Sequence, residues 1–236
     1  MAEFFRTILI HPLLNLLVFT YNYIPDIGVV IILLTILIRL LLLPSFHKSL
    51  KHQKALADLQ PKMNEIKEKY KDDKERQARA MMELYTTHKV NPLSSCLPLL
   101  IQLPILIALY RVFIQSLNGQ ALEGIYSFIH APASIDPHFL GFLNLAQKSP
   151  YLAVIAAALQ FWQAKIAQPR TKSTDQMAQM LAMQTMYFFP VLTLIIGLQF
   201  PAGLALYWIV TTLFGIGQQY YILRKEAREA LYGQPK

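Results

Sequence analysis

"ILLTILIRLLLLP", residues 32–44, sets Arg39 in an otherwise apolar run whose only other polar residue is Thr35. A guanidinium stays charged at any physiological pH, so an apolar environment penalises it. On an insertion scale a central Arg costs about 2.5–3.5 kcal/mol, while each Leu or Ile returns about 0.3–0.6 kcal/mol. The surrounding apolar residues outweigh the charge, and the run still reads as a membrane span. What the charge does there is the question the rest of the chain has to answer.

Outward from that run, the chain of 236 residues is 54% hydrophobic and only 15% charged. Its mean hydropathy is positive. This balance suggests a membrane protein. Apolar stretches near 27–44, 97–117, 151–167, 183–199 and 201–223 reach or approach the ~20 residues that cross a hydrocarbon core of about 30 Å. Backbone in lipid must satisfy its own hydrogen bonds, and these stretches lack the alternation of barrel strands. The expectation is an all-α polytopic protein with five transmembrane helices: a first span at 27–44 and spans two to five, with their connections, within 96–223.

The formal charge of +8 invites a nucleic-acid reading, but the placement of the cations argues otherwise. Eighteen of the 22 Lys and Arg fall in 45–95, 165–176 and 224–236; only Arg6, Arg111 and Lys148 belong to the opposite side. With five spans the two sets alternate as the positive-inside rule requires. That predicts a multi-pass protein of the cell inner (plasma) membrane, N-terminus outside and C-terminus cytoplasmic, with no specific nucleic-acid partner. In residues 1–26, His11, Pro12 and Asn15 interrupt the apolar run. They favour an N-terminal interfacial helix over a sixth span. No clear cleavage site follows it, and no cysteine near it suggests a lipid anchor.

Residues 45–95 form the one long polar region, with eleven basic and seven acidic residues between 45 and 90. Leu50, Ala57, Leu59, Met63, Ile66 and Tyr70, then Ala78, Met81, Met82 and Tyr85, recur at helical spacing on either side of "KDDK" at 71–74. This predicts a cytoplasmic helical hairpin, with Pro61 bending its first arm or starting a new turn. The segment 118–149 reads as loop or short interfacial helix, and 167–182 as a short inner connection. Residues 224–236 are a short basic tail.

Two readings of Arg39 stand side by side: its guanidinium snorkels to the cytoplasmic headgroups, or it faces a hydrated intramembrane cavity. Polar residues on other spans favour the cavity. Thr35 shares a face with Arg39, Gln102 interrupts the second span, and Gln160 and Gln163 lie three apart on the third. Trp208, Thr212, Gly215 and Gln219 line one stripe of the fifth. No catalytic set accompanies them. Ser94 and Ser95 lack a base; His47, His52 and His88 fit a solvated hairpin better than a metal site; Cys96, the only cysteine, reads as a packed thiol. Met177, Met180, Met183 and Met186 give an apolar packing stripe. No cofactor and no enzymatic activity are expected.

"QPKMNEIKEKYKDD" (60–73), "HKVNPLSSCLPLLIQLPILIALY" (88–110), "FWQAK" (161–165) and "FPAGLALYW" (200–208) follow the Arg39 run in that order. Together they resemble the YidC/Oxa/Alb membrane insertases, from about residue 10 to 223. The resemblance implies a short bacterial-type insertase and chaperone for membrane proteins, with a hydrophilic groove open to cytoplasm and lipid but closed outside. It implies that Arg39, Gln163 and Trp208 occupy groove positions. Thr35 and Gln102 are added from their helix faces. Implied partners are nascent membrane-protein substrates, the lipid bilayer, a transient ribosome contact and a Sec translocon. Set beside Gram-negative members, the sequence is expected to carry no large extracytoplasmic domain, and a tail shorter than those that bind ribosomes strongly. A proton-coupled or ion-conducting transporter is the alternative class, disfavoured because no Asp or Glu lies within a span. An intramembrane enzyme would need a nucleophile and base that are missing.

Overall fold

The computed structural model describes residues 2–91, 97–117, 124–167 and 183–232. Ser94, Ser95, Cys96, Met177 and Met180 lie outside these, as does nearly all of the inner connection. The described chain is mostly helical. Helix α1 joins Ala2–Phe5, a π-helical turn Arg6–Ile10 and His11–Tyr23. Then follow α2 (Ile27–Leu41), α3 (Leu43–Lys69), α4 (Lys74–Thr87), α5 (Leu97–Leu117) and α6 (Pro150–Ala167). Helix α7 joins a π-turn at Gln184–Phe188 to Phe189–Gln199, and α8 is Ala202–Tyr232.

Both π-turns have the same cause. Each ends two residues before a proline, Pro12 or Pro190. Proline cannot donate to the preceding turn, and its ring crowds the carbonyl four residues back. Widening the turn, so that the His11 N–H reaches Arg6 O, lets the helix continue. Pro44 acts more sharply: α2 and α3 meet at Leu42 with a 61° bend. Pro61, by contrast, lies inside the continuous α3.

By length and composition, the described residues contain one helix fit to cross a membrane, Glu3–Tyr23, or two if the bent pair Ile27–Leu41 and Leu43–Ser49 is one span. Leu100–Ile114 and Met186–Gln199 are apolar but shorter. Five spans are therefore not established by helix lengths. Amides and aromatic hydroxyls dilute the apolar residues of α6 and α8.

The core gathers one stripe from each of four helices. Ile10, Leu14, Leu17, Val18 and Tyr21 of α1 recur at helical spacing and are buried. They join Ile27, Val30, Ile31 and Leu34 of α2, Ala108, Leu109, Val112 and Phe113 of α5, and Ala202, Leu204, Leu206 and Tyr207 of α8. Among the described residues, the α3–α4 hairpin contributes nothing to this cluster. Its arms are held by the Gln77 amide donating to Lys67 O at 3.2 Å, a Tyr85 hydroxyl–Met63 sulfur contact at 3.9 Å, and Lys62 Nζ 3.3 Å from His88 Nε2. Partial burial between the arms pushes the Tyr85 phenol above its ordinary pKa. Asp73 caps α4 by accepting from Arg76 N.

The connection 124–149 is a strapped-down loop rather than a helix. Its one regular piece is a small hairpin, β1 (His138–Phe139) antiparallel to β2 (Leu143–Asn144). Buried Asn15 holds it at one end, donating to Gly124 O and accepting from Tyr126 N at 2.7 Å. The Tyr21 hydroxyl accepts from Asp136 N, and the Asn22 amide donates to His130 O. Asp26 caps α2 with one carboxylate oxygen, at Gly28 N and Val29 N, and takes Leu140 N on the other at 2.8 Å. At the far end, Ala202 N and Gly203 N donate to Gln147 O and Leu145 O. The Phe139 ring lies directly on Gly28, where a Cβ would sit 2.1 Å from the ring and 2.6 Å from Phe139 Cβ. Gly28→Val should therefore displace the hairpin and cost about 1–3 kcal/mol, the usual range for overpacking. Limited proteolysis should find 128–144 cut faster than in the unaltered chain.

Candidate functional site

Helix α8 is the spine of the site. Tyr207, Thr211 and Gly215 stand at i, i+4 and i+8, so they form one stripe about 12 Å long. Each meets a polar side chain from a different helix. The Gln102 amide of α5 donates to the Tyr207 hydroxyl. Arg39 of α2 places Nε 3.5 Å from Thr211 Oγ1. The Gln163 amide of α6 lies over Gly215, where a Cβ would sit 2.2 Å from its nitrogen. Tyr207 and Thr211 stand one turn apart on α8, so Gln102, Tyr207, Thr211 and Arg39 line up as a chain of polar groups.

Arg39 owes its position to the local sequence. It lies in the last turn of α2, where the helix dipole favours a cation. The Pro44 bend then swings Phe46 back, and the guanidinium carbon sits 4.5 Å from the centre of that ring. The side chain thus turns toward α8 and the start of α3. Among the described residues no carboxylate pairs with it. A hydroxyl at 3.5 Å is a long hydrogen bond, so the cation is oriented but loosely held. A guanidinium with five donors in this state is able to attract an incoming anion.

The other expected residues are placed as follows. Thr35 is buried, and its hydroxyl bonds back to Ile31 O at 2.6 Å, one turn before Arg39. Trp208 is half-buried and packs at the edge of the core. Gln160 accepts from the Thr193 hydroxyl, which ties α6 to α7. Thr212 is buried, and Gln219 Oε1 and Gln218 Nε2 are buried without a protein partner in the described structure. The pairs that carry the polar chain, Tyr207 and Thr211, lie one residue away from the stripe of Trp208 and Thr212 that the sequence suggests. Both pairs have i, i+4 spacing in "YWIVTT", and only the contacts with α2 and α5 tell them apart.

Gly215 and Gly197 separate two kinds of close approach. An added methyl at 215 meets the end of a flexible amide, but at 197 it would meet Ala153 Cβ at 2.9 Å and its Cα at 3.2 Å. Gly215→Ala should leave the unfolding temperature nearly unchanged while turning Gln163 aside. Gly197→Leu should force α6 from α7 and cost about 1–3 kcal/mol. Thermal unfolding of the two purified variants checks this.

Most of the chain is similar to known proteins. The sequence model of the 60Kd inner membrane protein family matches residues 19–229. A relative named membrane protein insertase YidC, from Geobacter sulfurreducens, is 39% identical over 215 residues, which cover 90% of this chain and 36% of that protein. The protein of the same name from Syntrophus aciditrophicus is 40% identical over 213 residues, covering 89% of this chain and 35% of that one. The chain spans about a third of the length of these curated relatives. A crystal structure of an active YidC insertase with its first transmembrane domain resolved superposes with a TM-score of 0.58 at 27% identity, covering 85% of this chain and 43% of that one.

Proposed function

This chain belongs to the 60Kd inner membrane protein family of YidC-type proteins, and on that premise we propose that it inserts other proteins into the membrane and assists their folding. It does so without making or breaking a covalent bond. The observation that carries the reading is the polar stripe on α8, where Gln102, Arg39 and Gln163 arrive from three helices and the cation meets no carboxylate among the described residues.

Five spans, with the α3–α4 hairpin and the tail cytoplasmic, put this stripe in a groove open to cytoplasm and lipid. Arg39, Gln102, Gln163 and Trp208 line it. Buried Thr35 marks its floor, beyond which Ile27, Val30, Ile31 and Leu34 are dry. Residues 1–26 lie along the outer face, a reading supported by the bonds from Asn15, Tyr21 and Asn22 to the strap at 124–136. Water in the groove solvates the polar part of an incoming chain while its apolar part slides out against lipid. Less polar surface then crosses hydrocarbon unaided, and the barrier falls. The orphaned Gln218 and Gln219 amides fit this picture, because buried polar atoms without protein partners are ordinarily met by water.

The partners are nascent membrane proteins and the bilayer, with a transient ribosome contact through hairpin and tail and cooperation with a Sec translocon. The direct test is reconstitution. The pure protein in liposomes should render a short single-spanning substrate protease-protected, whereas protein-free liposomes should not. Equal protection in both would refute the function. An ion flux through the same liposomes would instead favour the transporter class.

A further inference from the structure

The tip of the small hairpin is built against the usual rules for a turn in water. Its residues are Leu140, Gly141 and Phe142, with Leu140 at φ 52° and Gly141 at φ 77°. Asn or Gly relieves the strain of the left-handed region, whereas a bulky leucine there does not. Leu140 is nevertheless 60% exposed and Phe142 76% exposed. The tip is not loose: Asp26 holds Leu140 N, the Phe139 ring seats on Gly28, and His138 and Phe139 pair with Asn144 and Leu143. A strained, braced turn that holds two large apolar side chains outward is unfavourable facing water and favourable facing lipid.

Its surroundings agree. Phe128, 80% exposed, stands beside Tyr126 with ring centres 5.5 Å apart on the same strap. Between residues 124 and 149 only Asp136 and Lys148 carry full charge. Tyr23 and Ile24, just before the Asp26 that holds Leu140 N, and Tyr151, Val154 and Ile155 on the first turns of α6, which follow the strap in sequence, are exposed as well. Exposed apolar side chains thus flank the strap at both of its attachments, as suits a lipid boundary better than water.

We infer that the connection 124–149 is itself a membrane-seated element, with the Leu140–Phe142 tip and the Phe128 ring immersed at the boundary between headgroups and acyl chains. The partner is the lipid surface, and the element fixes how deeply the bundle sits. The inference is independent of the insertase reading, because its test measures depth and not insertion.

Nitroxide labels at Phe142→Cys, Phe128→Cys and Lys74→Cys, each in a Cys96→Ser background, would be compared in vesicles of phosphatidylethanolamine and phosphatidylglycerol. Lys74, exposed at the hairpin turn, is the aqueous reference. The ratio of collisions with oxygen to those with a polar nickel chelate should be severalfold higher at 142 and 128 than at 74. Because a label replaces the ring, Phe142→Trp in a chain with both native tryptophans changed to Phe repeats the test. Its emission should be blue-shifted and quenched by brominated lipid. Nickel access at 142 and 128 equal to that at 74, with unshifted emission quenched by acrylamide, would overturn the inference. Protection that persists in detergent with spin–spin broadening would do so too, since it would indicate a second copy of the chain on the patch.

Discussion

Arg39→Glu should slow insertion of substrates with acidic translocated segments by at least about tenfold, while substrates with neutral segments lose much less. An anion about 6 Å from the guanidinium gains about 3 kcal/mol at an effective dielectric constant of about 20, and charge reversal turns that attraction into repulsion. Water in the groove weakens both, but about 1.4 kcal/mol remaining is enough for a factor of ten. Arg39→Lys should fall between, because an ammonium keeps the charge but loses the planar fork and its stacking on Phe46. Insertion rates of a matched pair of substrates into proteoliposomes measure the difference. Equal loss for acidic and neutral segments would remove the electrostatic role and leave Arg39 as packing.

Excising the hairpin between residues 52 and 84 should abolish most substrate delivery yet leave the bundle folded. None of its described side chains joins the core cluster, and α4 has no buried residue. The arms meet through contacts that include those at Tyr85, Gln77 and Lys62, all outside the core, so the hairpin can open locally without unfolding the bundle. Its mixed charge and exposed Met82 suit transient contact with an emerging chain at the groove mouth. The shortened protein should keep its thermal transition and lose insertion. Full-rate insertion by that variant would end the recruiting role.

The helices were legible because their signal is local. Apolar runs and the "KDDK" turn each lie within a few residues of what they specify. The cap that Asp26 gives α2 is local, at Gly28 N and Val29 N, whereas its second oxygen reaches Leu140, more than a hundred positions on. The bonds that strap 124–149 to α1 join residues more than a hundred positions apart. No periodicity carries such information. At the site, Arg39 stood out by the cost of its charge and Gln102 and Gln163 by polarity in apolar runs. Their shared landing on Tyr207, Thr211 and Gly215 depends on how α8 is rotated. A turn of about 100°, one residue, separates that stripe from the one containing Trp208 and Thr212.

Aqueous access to the groove is the most direct test of the account. Gln102→Cys and Gln163→Cys, in a Cys96→Ser background, would be reacted in sealed vesicles with a membrane-impermeant maleimide, beside Leu109→Cys in the dry core. The account predicts fast labelling at 102 and 163 from the side bearing the hairpin, and none at 109 until the protein is denatured. Labelling at 102 and 163 no faster than at 109 would contradict it.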